Sequence, residues 1–319
     1  MAAQPTRSMA RRRARGIGLV LAAGIVAACS AGGPTPLRGD SGPGRAAPQA
    51  AFPGPGDRSP TVVAAGDISP AALGEQARTA RLVRKLAPTR VLALGDLQYP
   101  AGSLAGFRAF YDPTWGTFKA RTKPAPGNHE YETPGARGYF EYFGKAARSA
   151  GRSYYSFDLG GWHLISLNSN IAGGTGSAQA EWLRADLRRT SQRCVLAYWH
   201  HPRFSSGANH GGDTGVATFW RALYRQRADL VLSGHEHNYE RFARQNPRGA
   251  ADSRGIRQFI AGTGGAHQYP FAGAHRNSQV RITGRYGVLR LTLHPRSYVW
   301  RFVAVGGNVL DRGGPVACH

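Results

Sequence analysis

Five short blocks of the sequence carry side chains that bind hard or borderline metal ions. Gly66-Asp67 follows the apolar run from Thr61 to Ala65, and Gly95-Asp96 follows Arg90 to Leu94. Gly127-Asn128-His129-Glu130 follows Pro124-Ala125-Pro126. His200-His201-Pro202 closes the run that starts at Cys194, and Gly234-His235-Glu236-His237 closes the run that starts at Asp229. Carboxylates, an amide oxygen and neutral imidazoles are ligand types that first-row metal ions accept. Two such ions about 3.5 Å apart, sharing one carboxylate, generate hydroxide near neutral pH and clamp the oxygens of a phosphate. Asp67, Asp96, Asn128, His200, His235 and His237 supply that set. One block alone would mean little, since Asp after Gly is also an ordinary turn former. Five in series, each at the end of a strand-like run, point to a common site.

The elements that must position these residues alternate between strand and helix. The parallel-strand pattern of continuous apolar residues recurs at 61–65, 90–94, 194–199 and 229–232. Residues 73–86 carry apolar side chains at helical spacing and stop at Pro88, and 178–189 and 218–226 read as helices. Residues 107–118 look helical but are broken by Pro113. Residues 154–159 and 162–168 form a hairpin pattern around Gly160-Gly161, and three late strands are expected at 257–261, 286–293 and 297–305. The class is α/β, in which ligands gather beyond the strand ends. His163 sits inside the hairpin and reads as a structural histidine. Gly262-Thr263-Gly264-Gly265 reads as a tight turn near the site, since no helix with a lysine follows it.

In this order the blocks resemble the calcineurin-like metallophosphoesterases. The Gly95-Asp96-Leu97-Gln98-Tyr99 form and the run from Gly234-His235-Glu236-His237 to Tyr239-Glu240-Arg241 are similar to the purple acid phosphatase branch. The resemblance covers residues 61 to about 305 and implies a four-layer sandwich, two mixed β-sheets face to face with helices outside. It implies that Asp67, Asp96, Tyr99 and His237 hold a first metal and that Asp96, Asn128, His200 and His235 hold a second, with Asp96 bridging. Many relatives have a histidine two residues after the first Asp; Ser69 stands here, and Tyr99 can provide the missing ligand. A phenolate donor suggests iron at that position, with zinc, manganese or iron at the other. The ligand lies two residues before the proline in this family, which selects His200 and leaves His201 as a supporting neighbour. His129 is expected to face the substrate as proton donor or phosphate ligand. His210 is expected beside it, although Asn209 stands where some relatives have a second histidine. Tyr239 and Arg241 either support the site by packing or touch substrate.

The implied activity is hydrolysis of phosphate monoesters by direct attack of metal-bound hydroxide. The alternatives are a phosphodiesterase or nucleotidase on the same core, and a non-catalytic surface protein that holds anionic polymers around structural metals. The complete ligand set with His129 disfavours the last, because a structural site needs no open position.

The first thirty residues read differently. Arg7, Arg11, Arg12, Arg13 and Arg15 precede an apolar stretch from Ile17 to Ala28, too short for a comfortable bilayer crossing. Val26-Ala27-Ala28-Cys29 resembles the lipobox of bacterial lipoproteins, which implies a signal peptide over 1–28 and a lipid on Cys29. Residues 29–60, rich in Pro and Gly, read as a tether and 61–319 as the catalytic domain. The protein is therefore expected to be exported and held at the outer side of the cell membrane, or secreted. Export makes a disulfide between Cys194 and Cys318, the remaining two of three cysteines, the expected state. The net charge of +23 comes almost wholly from arginine. Arginine, alanine and glycine in excess over lysine also follow from a GC-rich genome. No dense Lys/Arg run occurs after residue 15, so no specific nucleic-acid recognition is expected, and the partner is a small phosphate ester.

Overall fold

The computed structural model describes residues 59–319 except residue 73. The segment read as a signal peptide, Cys29, almost all of the tether and Leu73 lie outside the described residues. In chain order the strands are β1 (Thr61–Ala65), β2 (Arg90–Leu94), β3 (Thr122–Ala125), β4 (Tyr155–Leu159), β5 (Trp162–Ser166), β6 (Cys194–Tyr198) and β7 (Leu230–Ser233). They continue with β8 (Tyr239–Phe242), β9 (Arg257–Ala261), β10 (Ser278–Ile282), β11 (Gly287–His294), β12 (Ser297–Ala304) and β13 (Val309–Ala317).

Two sheets result. The first runs β13-β12-β11-β1-β2-β3 and the second β10-β8-β9-β7-β6-β5-β4. Both are mixed. β1, β2 and β3 are parallel, and β11 pairs antiparallel to β1. In the second sheet β5, β6, β7 and β9 are parallel, and β4 and β8 are antiparallel to their neighbours. Strands buried on both faces need apolar side chains at every position, and β6 and β7 are buried throughout.

The period-2 alternation sorts these side chains into layers. Val62, Ala64, Leu92 and Leu94 face Leu164, Leu196, Leu230 and Leu232 across the gap between the sheets. Val63, Ala65, Val91 and Ala93 turn outward against helix Glu75–Leu86 and the aromatic residues Phe107, Trp115 and Tyr139. Ile165, Val195, Ala197 and Val231 turn outward from the second sheet against helices Ala178–Arg189 and Ala217–Arg225. This is the expected four-layer arrangement. The stretch broken by Pro113 becomes a π turn, Phe107–Tyr111, and a 3-10 segment, Trp115–Arg121.

Four strands lack a long apolar run in the sequence, and three of them are edges. β3 contains Pro124 and β13 contains Pro315; proline is tolerated at a sheet's border, where one side of the ladder is empty, and these two strands close the first sheet on either side. β10 is the border of the second sheet and alternates between half-buried and exposed residues. β8 begins two residues after His237 and is hidden behind the ligand block.

His163 is buried on β5. Its Nδ1 lies 2.7 Å from Asp158 Oδ1 and its Nε2 2.9 Å from Asp186 Oδ2, a structural pairing away from the ligand blocks. A disulfide joins Cys194 to Cys318, 124 positions apart in the sequence and with Cα atoms 5.4 Å apart. It ties the start of β6 in the second sheet to the residue after β13 in the first. The chain-entropy account assigns such a long loop roughly 4–5 kcal/mol, and losses after removal run about 2–5 kcal/mol. Replacing both cysteines by serine should lower the free energy of unfolding by that amount in urea titrations. A midpoint equal to wild type would show that the bridge does not hold the sheets.

Candidate metal centre

β1, β2 and β3 in one sheet, and β6 and β7 in the other, run in the same sense to a shared end. Backbone bonds knit the loops beyond them: Asp67 N–H donates to Gly95 O at 3.0 Å, Ile68 N–H to Asp96 O at 2.9 Å, and Gly234 N–H to His200 O at 3.0 Å. The chain must bend sharply where the ligands sit. Asp67, Asp96 and His235 all adopt left-handed backbone, with φ of 58°, 50° and 70°. Residues so held cost on the order of 1–3 kcal/mol each and persist where their surroundings over-determine them. The glycines before Asp96 and Asn128 answer to space as well: a Cβ at Gly95 would stand 2.6 Å from His200 Nδ1, and one at Gly127 only 2.1 Å from Asp96 Oδ1.

Glu130 supplies much of the over-determination. Its buried carboxylate accepts N–H groups from Gly127 at 2.7 Å, Asp96 at 2.9 Å, Leu97 at 2.8 Å and Gln98 at 3.3 Å. It thereby clamps the Asp96 loop to the Asn128 loop. Burial and the nearby Asp96 push its pKa up to about 7.

The seven residues predicted as ligands converge in two groups. Tyr99 Oη lies 3.0 Å from Asp67 Oδ1, 3.1 Å from Asp96 Oδ2 and 3.0 Å from His237 Nε2. His200 Nε2 lies 3.2 Å from Asp96 Oδ2, 3.1 Å from Asn128 Oδ1 and 3.2 Å from His235 Nδ1. Asp96 Oδ2 belongs to both groups. The distances thus divide the seven side chains into two groups, with one carboxylate oxygen in common.

The chemistry of these donors asks for cations. His200 Nδ1 faces Leu94 O at 2.9 Å, and His237 Nδ1 faces His267 O at 2.5 Å. A carbonyl only accepts, so each Nδ1 carries a proton, and in the neutral form each Nε2 turns a lone pair inward, onto carboxylate and phenol oxygens. Second atoms fixed this way are the usual support of a metal-bound imidazole. Burial opposes a charge on His200, but Asp96 outweighs it and brings the pKa up to about 9. Burial, with His200 and His201 alongside, drives His235 far below the ordinary imidazole range, so it offers a neutral lone pair. Burial together with Asp67 and Asp96 holds the Tyr99 proton well above pH 10; a metal cation is the kind of local charge that displaces it. The residues fit a two-metal site.

The remaining predicted residues divide. His129 lies at the mouth, its ring 4.2 Å from Tyr99 and its Nδ1 2.6 Å from Pro100 O. His210 is exposed, with its ring 4.2 Å from that of His235. His201 packs at 4.4 Å from His235, and burial with His200 beside it brings its pKa down to about 3. Tyr239 and Arg241 are a correction: they do not reach the cluster. Both bind Asp311, Tyr239 Oη at 2.7 Å and Arg241 Nε at 2.7 Å, and Tyr239 stacks on Phe302. The period of β8 turns the Tyr239 side chain into the gap between the sheets, away from the ligands.

Besides Glu130, two supporting residues had no assigned role. Glu236 Oε1 accepts the N–H groups of His210 and Gly211, each at 2.6 Å, and so anchors the loop that carries His210. Tyr269 stacks on His237 at 4.0 Å and donates its N–H to His237 O at 3.1 Å. It is delivered by the expected turn at 262–265, where Gly264 N–H meets Gly66 O at 3.0 Å. Glu236 was visible inside its block; Tyr269 had no sequence signal.

Residues 60–239 match the calcineurin-like phosphoesterase family. The chain belongs to that family. Among curated members, probable purple acid phosphatase 20 of Arabidopsis thaliana is 31% identical over 175 residues, covering 47% of this chain and 39% of the relative. Purple acid phosphatase 21 of the same plant is 30% identical over 188 residues, covering 52% and 41%. The chain thus spans about two-fifths of the length of these relatives. A purple acid phosphatase from yellow lupin seeds superposes with a TM-score of 0.63 at 19% identity, over 79% of this chain and 53% of that one. GAP50, the anchor in the inner membrane complex of Plasmodium, reaches 0.64 at 13% identity, over 82% and 89%. At these identities the likeness concerns the phosphoesterase fold.

Since Asp96 Oδ2 serves both groups, Asp96→Asn should release both metals together. Metal analysis after gel filtration should find well under one ion per chain; two retained ions would remove Asp96 from the bridging position.

Proposed function

We propose that this phosphoesterase-family chain is a phosphatase that hydrolyses phosphate monoesters at a dinuclear centre. The observation that carries the reading is the single oxygen, Asp96 Oδ2, on which the two donor groups meet. Two ions bound there would supply a hydroxide nucleophile near neutral pH and positive charge for the phosphate oxygens. The chain's own residues orient and protonate. His129 Nδ1 is committed to Pro100 O, so the proton it can move is on Nε2. In the imidazolium form that proton passes to the departing alkoxide, and the ring is left neutral; such help contributes about 10²–10⁴-fold. His210, held through its backbone by Glu236, is placed to hydrogen-bond a phosphate oxygen. His129 and His210 beside two ions suit the three terminal oxygens of a monoester better than the two of a diester.

Iron at the Tyr99 position is part of the proposal, with zinc, manganese or iron at the other. A phenolate is a hard anionic donor that suits a trivalent ion. The Cys194–Cys318 bridge supports an oxidising compartment and hence an exported protein, consistent with a lipid anchor at Cys29.

Two measurements test these readings. Phosphate release from p-nitrophenyl phosphate should exceed that from its bis-ester and should vanish with a chelator. Faster release from the bis-ester would favour the diesterase, and no release from either would favour a binding protein. Iron-loaded protein should be coloured by phenolate-to-iron charge transfer, and Tyr99→Phe should bleach it while leaving the fold intact; a variant that keeps its visible band would show that Tyr99 is not a ligand.

A further inference from the structure

His201 is wired differently from the histidines that surround it. His200 and His237 each give their Nδ1 proton to a backbone carbonyl and turn a lone pair toward the metal centre. His201 instead meets a hydroxyl. Its Nδ1 lies 2.7 Å from Ser169 Oγ, and its backbone N–H donates to the same oxygen at 3.2 Å. A hydroxyl has one proton to give. Among the described residues, these two are the hydrogen bonds that the Ser169 hydroxyl makes. With that proton directed to His201 Nδ1, both contacts are satisfied and the proton of the neutral imidazole is left on Nε2. The His201 carbonyl is held too, by Trp199 Nε1 at 2.7 Å. The ring is thus fixed and stands 5.0 Å from His200 and 4.4 Å from His235. It is half-buried. It therefore brings a donor, where its neighbours bring acceptors, to the side of the centre that His210 also borders.

We propose that His201 is a substrate-binding residue that donates its Nε2–H to an oxygen of the bound phosphate ester, with Ser169 as the positioning residue that fixes the tautomer. This rests on the phosphoesterase reading of the site. Two simpler roles compete with it: a ring that only packs against His235, and an eighth metal ligand.

The test uses the full, zinc-loaded protein and three variants, His201→Leu, His201→Gln and Ser169→Ala. Long-range ¹H–¹⁵N NMR of the wild type should find the His201 proton on Nε2, and Ser169→Ala should lose that preference. Calorimetry with inorganic phosphate should show binding weakened by about tenfold or more in His201→Leu, as expected for a lost hydrogen bond to a charged group. His201→Gln, which keeps an amide donor, should recover part of the loss, and KM for p-nitrophenyl phosphate should rise in parallel. Both His201 variants should retain two zinc ions. Phosphate affinity unchanged in His201→Leu, a proton found on Nδ1, or zinc lost from the variants would each overturn the assignment. A wild type that hydrolyses no ester, yet binds phosphate through His201 with the proton on Nε2, would refute the enzyme and leave the assignment standing.

Discussion

One carboxylate oxygen has to stand within reach of two groups of donors, and much of the local structure exists to hold it there. Asp96 is forced into left-handed backbone. Gly95 precedes it because His200 leaves no room for a side chain, and Gly127 faces it because Asp96 itself leaves none. Glu130 then ties the backbone around Asp96 to the loop that brings Asn128. None of these features is explained by secondary structure alone. All follow from placing Asp96 Oδ2 between Tyr99 and His200.

The electrostatic consequence is a buried cluster that is poorly matched to itself. Carboxylates, a phenol and inward-turned imidazole lone pairs crowd together at about 3 Å. Buried charge is tolerated when it is paired or coordinates a metal. Without ions the cluster must take up protons, and the raised pKa of His200 is the sign of that demand. The same burial that makes the empty cluster unfavourable makes it selective for cations, since little water remains to compete.

Much of this architecture was legible from the sequence. The parallel strands declare themselves because strands covered on both faces must be apolar throughout, and the ligands declare themselves because each stands directly beyond one. The edge strand β13 did not, since its proline and glycines read as loop while one unpaired side lets it remain a strand. Tyr239 and Arg241 misled for a related reason. They continue a ligand-bearing block, but once β8 begins, alternation sends Tyr239 to Asp311 and the inter-sheet core. Tyr269 was invisible because its place on His237 depends on a turn that closes only in three dimensions. Glu130 and Glu236 sat in plain view within their blocks, yet which N–H groups they accept is a property of the folded loops.

The ligands are divided between the two halves of the sandwich. Asp67, Asp96 and Asn128 follow strands of the first sheet; His200, His235 and His237 follow strands of the second. Metal ions held by both would act as rivets across the gap. The Cys194–Cys318 bond crosses the same gap at the opposite end of β6 from His200. Strand β6 is thus fastened covalently at its start, and a metal held by His200 would fasten it again just beyond its finish. Ligands that bind only the folded state stabilise it in proportion to their occupancy, and two effects that act on one equilibrium are reciprocal. Sulfur oxidation and metal loading would then each favour the closed sandwich, and each would favour the other.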